Sequence, residues 1–242
     1  MSATMKLKQY SVDTPRETIF QDATALLETI PKWKEGKTFF EGTTHETETK
    51  GEVIDDDFWV AAKAHFQDVN LERLRKAIIG TEEAGFSHSD YEPHYKHEIS
   101  QVQVQGEQFT TFANGWSYKV RTEYSFSFPF SKRTFNQLVH VFVDPIKRWA
   151  LIVSLPIKGP LFPDSVLGEA VTVEELSWKA ERDGPAEWLI ASTSGAGGNI
   201  PHWASNYALA GILVKDVPNV VDLISGSDYF TEPDSKLLSK QA

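Results

Sequence analysis

The chain is 242 residues long, carries 24 basic against 34 acidic residues for a formal net charge of −10, and contains no cysteine. Disulfides, thiolate nucleophiles and Cys-ligated zinc or iron–sulfur centres are therefore excluded, and the acidic balance disfavours nucleic acid, whose phosphates are bound by Lys and Arg. With 40% hydrophobic and 12% aromatic residues, and about 11,000 Å² exposed when folded against about 39,000 Å² for the open chain, one domain can bury a core without staples.

Thr14-Pro15-Arg16-Glu17 reads as a helix start, with Thr14 as N-cap and Pro15 at the first helical position. Ile19, Phe20, Ala23, Leu26, Leu27 and Ile30 follow at helical spacing until Pro31. Residues 39–53 read as weak, Thr-rich strands with a turn at Gly51, and Phe58-Trp59 as a loop edge or helix start. A second helix is predicted over 69–79, and from Glu92 the period changes to two, predicting a strand over 92–105 that ends at Gly106. The clearest strand follows: Trp116, Tyr118, Val120, Thr122, Tyr124, Phe126 and Phe128 alternate with polar residues. Further strands are predicted over 135–143, 149–155, 169–179 and 187–194. After Gly195-Ala196-Gly197-Gly198-Asn199 and Ile200-Pro201 comes a long helix over 202–224. Trp203, Tyr207, Ala210, Val214, Val217, Val221 and Ile224 form one stripe on it, and Pro218 should kink it or end its regular part. The reading is one domain over 1–242, with its core at about 14–226 and a loose tail over 227–242.

Targeting signals are not read. Met1 to Lys6 is followed by no apolar region, and the longest apolar run, Ala208 to Val214, is seven residues where a membrane span needs about 20. The expectation is a soluble cytoplasmic protein without stable membrane insertion.

His88, His94 and His97 with Glu92 and Glu98 form the one metal-like grouping. On a strand, positions 94 and 97 point to opposite faces, so these histidines are expected at the surface or in turns, and no metal site is assigned. The glycine-rich run at 195–198 lacks the Lys-Ser/Thr of a phosphate loop, and no G-x-S-x-G elbow occurs. Glu174-Glu175 and Glu82-Glu83 are expected on solvated faces. Lys119, Arg121 and Glu123 oppose the aromatic row, either as cross-strand ion pairs on a wet face or with Arg121 gripping a ligand carboxylate. The aromatic stripes fit a solid core or the wall of a cavity, since buried Trp and Tyr need partners for their polar tips.

Three stretches carry a family resemblance: Trp116-Ser117-Tyr118-Lys119-Val120-Arg121-Thr122-Glu123-Tyr124, Lys132-Arg133-Thr134-Phe135, and residues 191–203 from Ala191 through the glycines to His202-Trp203. Together with the order of elements, they resemble a fungal START-like family of unknown function within the helix-grip superfamily. Arg133-Thr134-Phe135 resembles the Arg-Asp-Phe of lipid-binding START domains, with Thr134 in place of Asp. Asn206 lies five residues after Pro201, as an Asn does in some START closing helices. Near Val139, where a sterol-binding relative carries a cavity arginine, this chain has Gln137.

The resemblance implies an α+β helix-grip fold, a curved antiparallel sheet wrapped around a long C-terminal helix, with a tunnel for an apolar ligand between them. The residues expected to line it are Trp116, Tyr118, Thr122, Tyr124, Gln137, His202, Trp203, Tyr207, Ala210 and Val214. The expected function is binding, with possible transfer, of a lipid or other hydrophobic small molecule without a cofactor. The alternative is a cofactor-independent cyclase or isomerase acting on a hydrophobic secondary metabolite, with Tyr118, Tyr124, Gln137, His202 and Arg121 as candidates. A scaffold with a solid core and no ligand is the third reading.

Overall fold

The computed structural model describes residues 5–6, 10–125, 131–180, 182–195 and 202–226, with side chains described for all of these except 106–108 and 202–208. The chain begins with α1 (Arg16–Thr29) and one 3-10 turn (Ile30–Lys32). Strands β1 (Lys34–Phe39), β2 (His45–Ile54) and β3 (Asp57–Asn70) follow, then α2 (Leu71–Ile79), the short α3 (His88–Tyr91) and a second 3-10 turn (Glu92–His94). Next come β4 (Ile99–Phe112), β5 (Gly115–Tyr124), β6 (Lys132–Asp144), β7 (Trp149–Pro156), β8 (Ser165–Leu167), β9 (Glu169–Trp178) and β10 (Asp183–Gly195). Helix α4 (His202–Ser225) closes the described chain.

Nine strands form one curved sheet in the order β1-β2-β3-β10-β9-β7-β6-β5-β4, and β8 pairs β6 off this path. Every pairing is antiparallel except that of β8 with the start of β6. The registers Val139↔Ser154↔Thr172↔Ser192↔Val60 put these residues in one row across the sheet. Because strand side chains alternate with period two, that row fixes which residues face which side.

One face carries Val60, Ala62, Ala64, Phe66, Tyr118, Val120, Val139, Ile152, Leu176 and Trp188, packed with Leu209, Leu213, Val214, Val217 and Val220 of α4 and with α2. The other face carries Trp59, Ala61, Phe142, Leu151, Val153, Val171 and Val173 beneath Ile19, Ala23, Leu26 and Leu27 of α1. The central strands are thus covered on both sides, and β7 is buried from Ala150 to Leu155. We call the α4 side concave and the α1 side convex. Helix α4 sits on β2, β3 and β10 and touches α2. No helix among the described residues is long and apolar enough to cross a membrane.

This is the helix-grip architecture expected, with local corrections. Pro15, not Thr14, is the N-cap of α1; it makes no side-chain cap bond, and Thr14 Oγ1 instead accepts from the Ser11 N–H at 3.0 Å. Gly51 lies inside β2 paired with Val60 rather than in a turn, and Phe58-Trp59 are strand residues of β3. The segment 88–94 is helical, because Ser87 and Asp90 form a capping box that nucleates α3. Helix α4 runs through Pro218 without ending there. Phe126 and Phe128, the glycine-rich residues after Gly195, the N-terminal Met1 and the tail from 227 lie outside the described residues.

Candidate functional site

The alternation in β5 delivers Trp116, Tyr118, Thr122 and Tyr124 to the concave face. Gln137, half-buried on β6, joins them opposite Val120. Tyr118 is buried, its ring stacked on Phe109 at 4.5 Å, and its hydroxyl meets the Ser89 N–H at 3.1 Å and the Ser89 hydroxyl at 3.0 Å. Thus α3, held by its capping box, reaches over the far half of the sheet. Tyr124 stands edge-on to Phe135 at 5.1 Å. Burial raises the phenols of both Tyr118 and Tyr124 above the ordinary tyrosine range. The Thr122 hydroxyl and the Trp116 indole N–H are buried without a hydrogen-bond partner. On α4, Val214 is buried and Ala210 half-buried against the same core. His202, Trp203, Tyr207 and Asn206 belong to α4, but their side chains lie outside the described residues.

The intervening residues go to the convex face. Glu123 is buried and accepts from Lys132 Nζ at 2.9 Å and from the Ser100 hydroxyl at 2.8 Å. Arg121 lies over the Phe162 ring at 4.1 Å and donates to Gln103. Glu123 is thus ion-paired with Lys132, while Arg121 is held by Gln103 and Phe162 on the opposite side of the sheet from Tyr118 and Thr122.

A buried ionic cluster on the concave side was not foreseen. Glu174 and His88, expected at solvated positions, are 2% and 1% exposed. Strand β9 lies at the centre of a sheet covered on both faces, so an inward side chain there cannot reach water. Lys96 Nζ lies 2.6 Å from Glu92 Oε1 and 3.7 Å from Glu174 Oε1, and the Trp188 indole N–H donates to Glu174 at 3.0 Å. His88 Nδ1 lies 2.6 Å from the Ile78 carbonyl oxygen, which only accepts, so Nδ1 carries the proton. Its Nε2 faces Glu92 at 3.6 Å and Glu174 at 3.7 Å. Burial alone would raise the Glu92 carboxyl, but Lys96 and His88 hold it below the usual carboxylate range. Burial alone would lower Lys96, but Glu92 and Glu174 hold its ammonium well above the usual lysine range. Candidate ligand atoms of His88, Glu92 and Glu174 lie within 4.8 Å of one another, yet the Lys96 ammonium already serves both carboxylates. The signal available in the sequence was the four-residue spacing of His88, Glu92 and Lys96, which is helical.

Grooves open on both sides of the sheet among the described residues. One, of about 530 Å³, lies on the convex side, with Leu27, Pro31, Lys50, Lys63 and Glu175 in its walls. The sheet separates it from every residue of the predicted lining. The other, of about 710 Å³, opens between the end of α2 and the β4–β5 turn and brings in Trp116, Val143 and Trp178.

Sheet order, two-sided burial and the seat of α4 make this a helix-grip fold, and solved START-related structures share it. Human STARD10 superposes with a TM-score of 0.69 at 12% identity, covering 89% of this chain and 82% of that one. Human StAR-related lipid transfer protein 5 gives 0.62 at 12% identity over 87% and 98% of the two chains. The lipid transfer and protein localization domain of human StarD13 gives 0.57 at 14% identity over 85% and 96%. No curated protein matches the sequence. Residues 59–224 match the family described as protein of unknown function (DUF3074), and the chain belongs to that family.

Proposed function

We propose that this protein binds a lipid or similar apolar molecule between the concave face of the sheet and α4, as a soluble cytoplasmic carrier. The observation that carries the reading is the division of the concave face. Helix α4 sits on β2, β3 and β10, whereas the aromatic residues of β5 lie beyond β9, β7 and β6 in the sheet order. That far half combines apolar walls with buried polar tips, on Thr122 and Trp116, that no group among the described residues satisfies. Such a surface suits a mostly apolar ligand with few polar handles. The neighbours' names, which include lipid transfer proteins, point the same way. Trp116, Tyr118, Thr122, Tyr124, Gln137, Ala210 and Val214 are the lining we assign, and His202, Trp203 and Tyr207, whose side chains lie outside the described residues, stay with it as expectations from the sequence.

The cyclase or isomerase reading has less support. The raised phenols of Tyr118 and Tyr124 are neutral donors at physiological pH rather than bases, and Arg121 faces the other way. Native mass spectrometry and organic extraction of protein purified from its own host test the choice. An unaltered lipid, transferable between vesicles by the purified protein, is the expected result. Protein that is always empty and takes up no neutral apolar dye would overturn the proposal.

A further inference from the structure

Besides Thr122 and Trp116, the buried polar groups of the concave side without a partner among the described residues include Trp178, Tyr95 and Asp216, and the last two interact electrostatically. Asp216 lies on the sheet-facing stripe of α4, between Leu213 and Val220, and is 1% exposed. Neither of its carboxyl oxygens has a hydrogen-bond partner among the described residues. The next polar residue on that stripe, Asn219, donates to the Tyr95 carbonyl at 2.8 Å. Tyr95 is itself 0% exposed, its ring is edge-on to Trp188 at 6.1 Å, and its hydroxyl also has no partner. Buried polar groups in native proteins are almost always satisfied, so two orphans in one cluster call for a missing partner.

We propose that Asp216, with Tyr95 beside it, anchors an uncharged hydroxyl at the polar end of the bound molecule. The proposal rests on the concave-face reading above and names the ligand class within it. The chemistry follows from the neighbours. Glu92 and Glu174 both act electrostatically on Asp216, so a carboxylate or phosphate headgroup would meet like charge in a dry site. An ammonium would be stripped of water close to the Lys96 ammonium, which those carboxylates already neutralise. Burial, with Glu174 and Glu98 adding to it against the pull of Lys96, raises the Asp216 carboxyl well above its ordinary range, which favours the protonated form. A protonated carboxyl and a phenol can each donate and accept, which is what a hydroxyl requires.

The test uses Nile red, a neutral dye, displaced from the full chain at pH 7.5 by 1-hexadecanol, hexadecanoic acid or hexadecylamine, which differ only at the headgroup. The alcohol is expected to displace the dye at concentrations at least tenfold lower than the acid or the amine. Asp216→Leu should bind Nile red as before, lose the alcohol preference and melt at a higher temperature. Asp216→Asn, which keeps a donor and an acceptor, should retain the preference. Tyr95→Phe should weaken it and serves should Asp216→Leu not fold. Equal displacement by all three compounds, a preference for the acid or amine, or an alcohol preference that survives Asp216→Leu would overturn the subsite while leaving the cavity standing. Failure of the wild type to bind Nile red at all would overturn both.

Discussion

His140 and Lys96 are both buried, one on each side of the sheet, and burial acts on them with different outcomes. Lys96 is charged and paired, so removing its partners is costly. Truncating one member of such a pair leaves the other charge uncompensated, which costs about 3–5 kcal/mol. Lys96→Met should therefore lower the urea midpoint by an amount equivalent to that range, and adding Glu92→Leu should recover part of it. A loss below about 1 kcal/mol for the single change would show the pair to be solvated. His140 has no such compensation. Its Nδ1 meets the Ser117 hydroxyl at 2.7 Å, its Nε2 has no partner, and burial, with Arg16 adding to it, pushes the ring down to about 4. The unfolded chain takes up this proton from about pH 6.5 downward, before the folded protein does. Stability should consequently fall as pH drops below 6.5, by about 2 kcal/mol at pH 5. That window lies above the one in which Glu92, whose carboxyl is held low, loses the stability it contributes. Unfolding free energies measured from pH 7 to 5 should show the slope, and His140→Gln should flatten it; an unchanged slope would mean that another group titrates.

At the scale of elements, the connection from α2 to α3 decides where Tyr118 is held. Gly80 ends α2 at φ +69° and ψ −156°, and a Cβ there would stand 2.2 Å from the His88 backbone nitrogen. That conformation is essentially glycine's alone and costs other residues about 1–3 kcal/mol before any clash. Gly80→Ala should exceed that cost in thermal unfolding and displace Ser89 from the Tyr118 hydroxyl; a melting curve like the wild type's would place the turn elsewhere. Helix α4 carries the second element-scale prediction. If Ala210, half-buried, borders ligand space, Ala210→Phe should abolish Nile red uptake with little change in stability. In a solid core the same ring would overpack and cost about 1–3 kcal/mol. These elements also show what the sequence could reveal. Strand β5 was legible because its two faces differ so sharply in chemistry, and α4 because its apolar stripe is long. Glu174 was not, because the lysine that makes its burial tolerable arrives from a distant turn that no local pattern reports. Glu92 is hidden for a related reason: a strand over 92–105 extends the alternation of β4 backward, although Ser87 and Asp90 spell a helix start just before it. Of the candidate site, the face of β5 could be deduced, whereas Asp216 looked like one more polar residue on a helix.

The whole molecule is one sheet with a core on each side, and this architecture makes stability and binding separable. Leu26 of α1 and Leu213 of α4 are 1% and 6% exposed, each inside the apolar cluster of its own face. Truncating either to alanine removes comparable buried surface and should cost about 2–5 kcal/mol. Packed interiors transmit changes of volume only to what they touch, and the sheet between the cores is hydrogen-bonded from β1 to β4. Leu26→Ala should therefore lower the melting temperature while leaving the Nile red affinity of the folded protein as it was. Leu213→Ala should be similarly destabilised but should shift that affinity, because the vacated volume opens on the ligand side. The comparison is made well below both melting temperatures, so that only folded protein is titrated. Should Leu26→Ala weaken dye binding as much as Leu213→Ala does, the dye would be reporting global softening, and the assignment of the ligand to the concave side would fall.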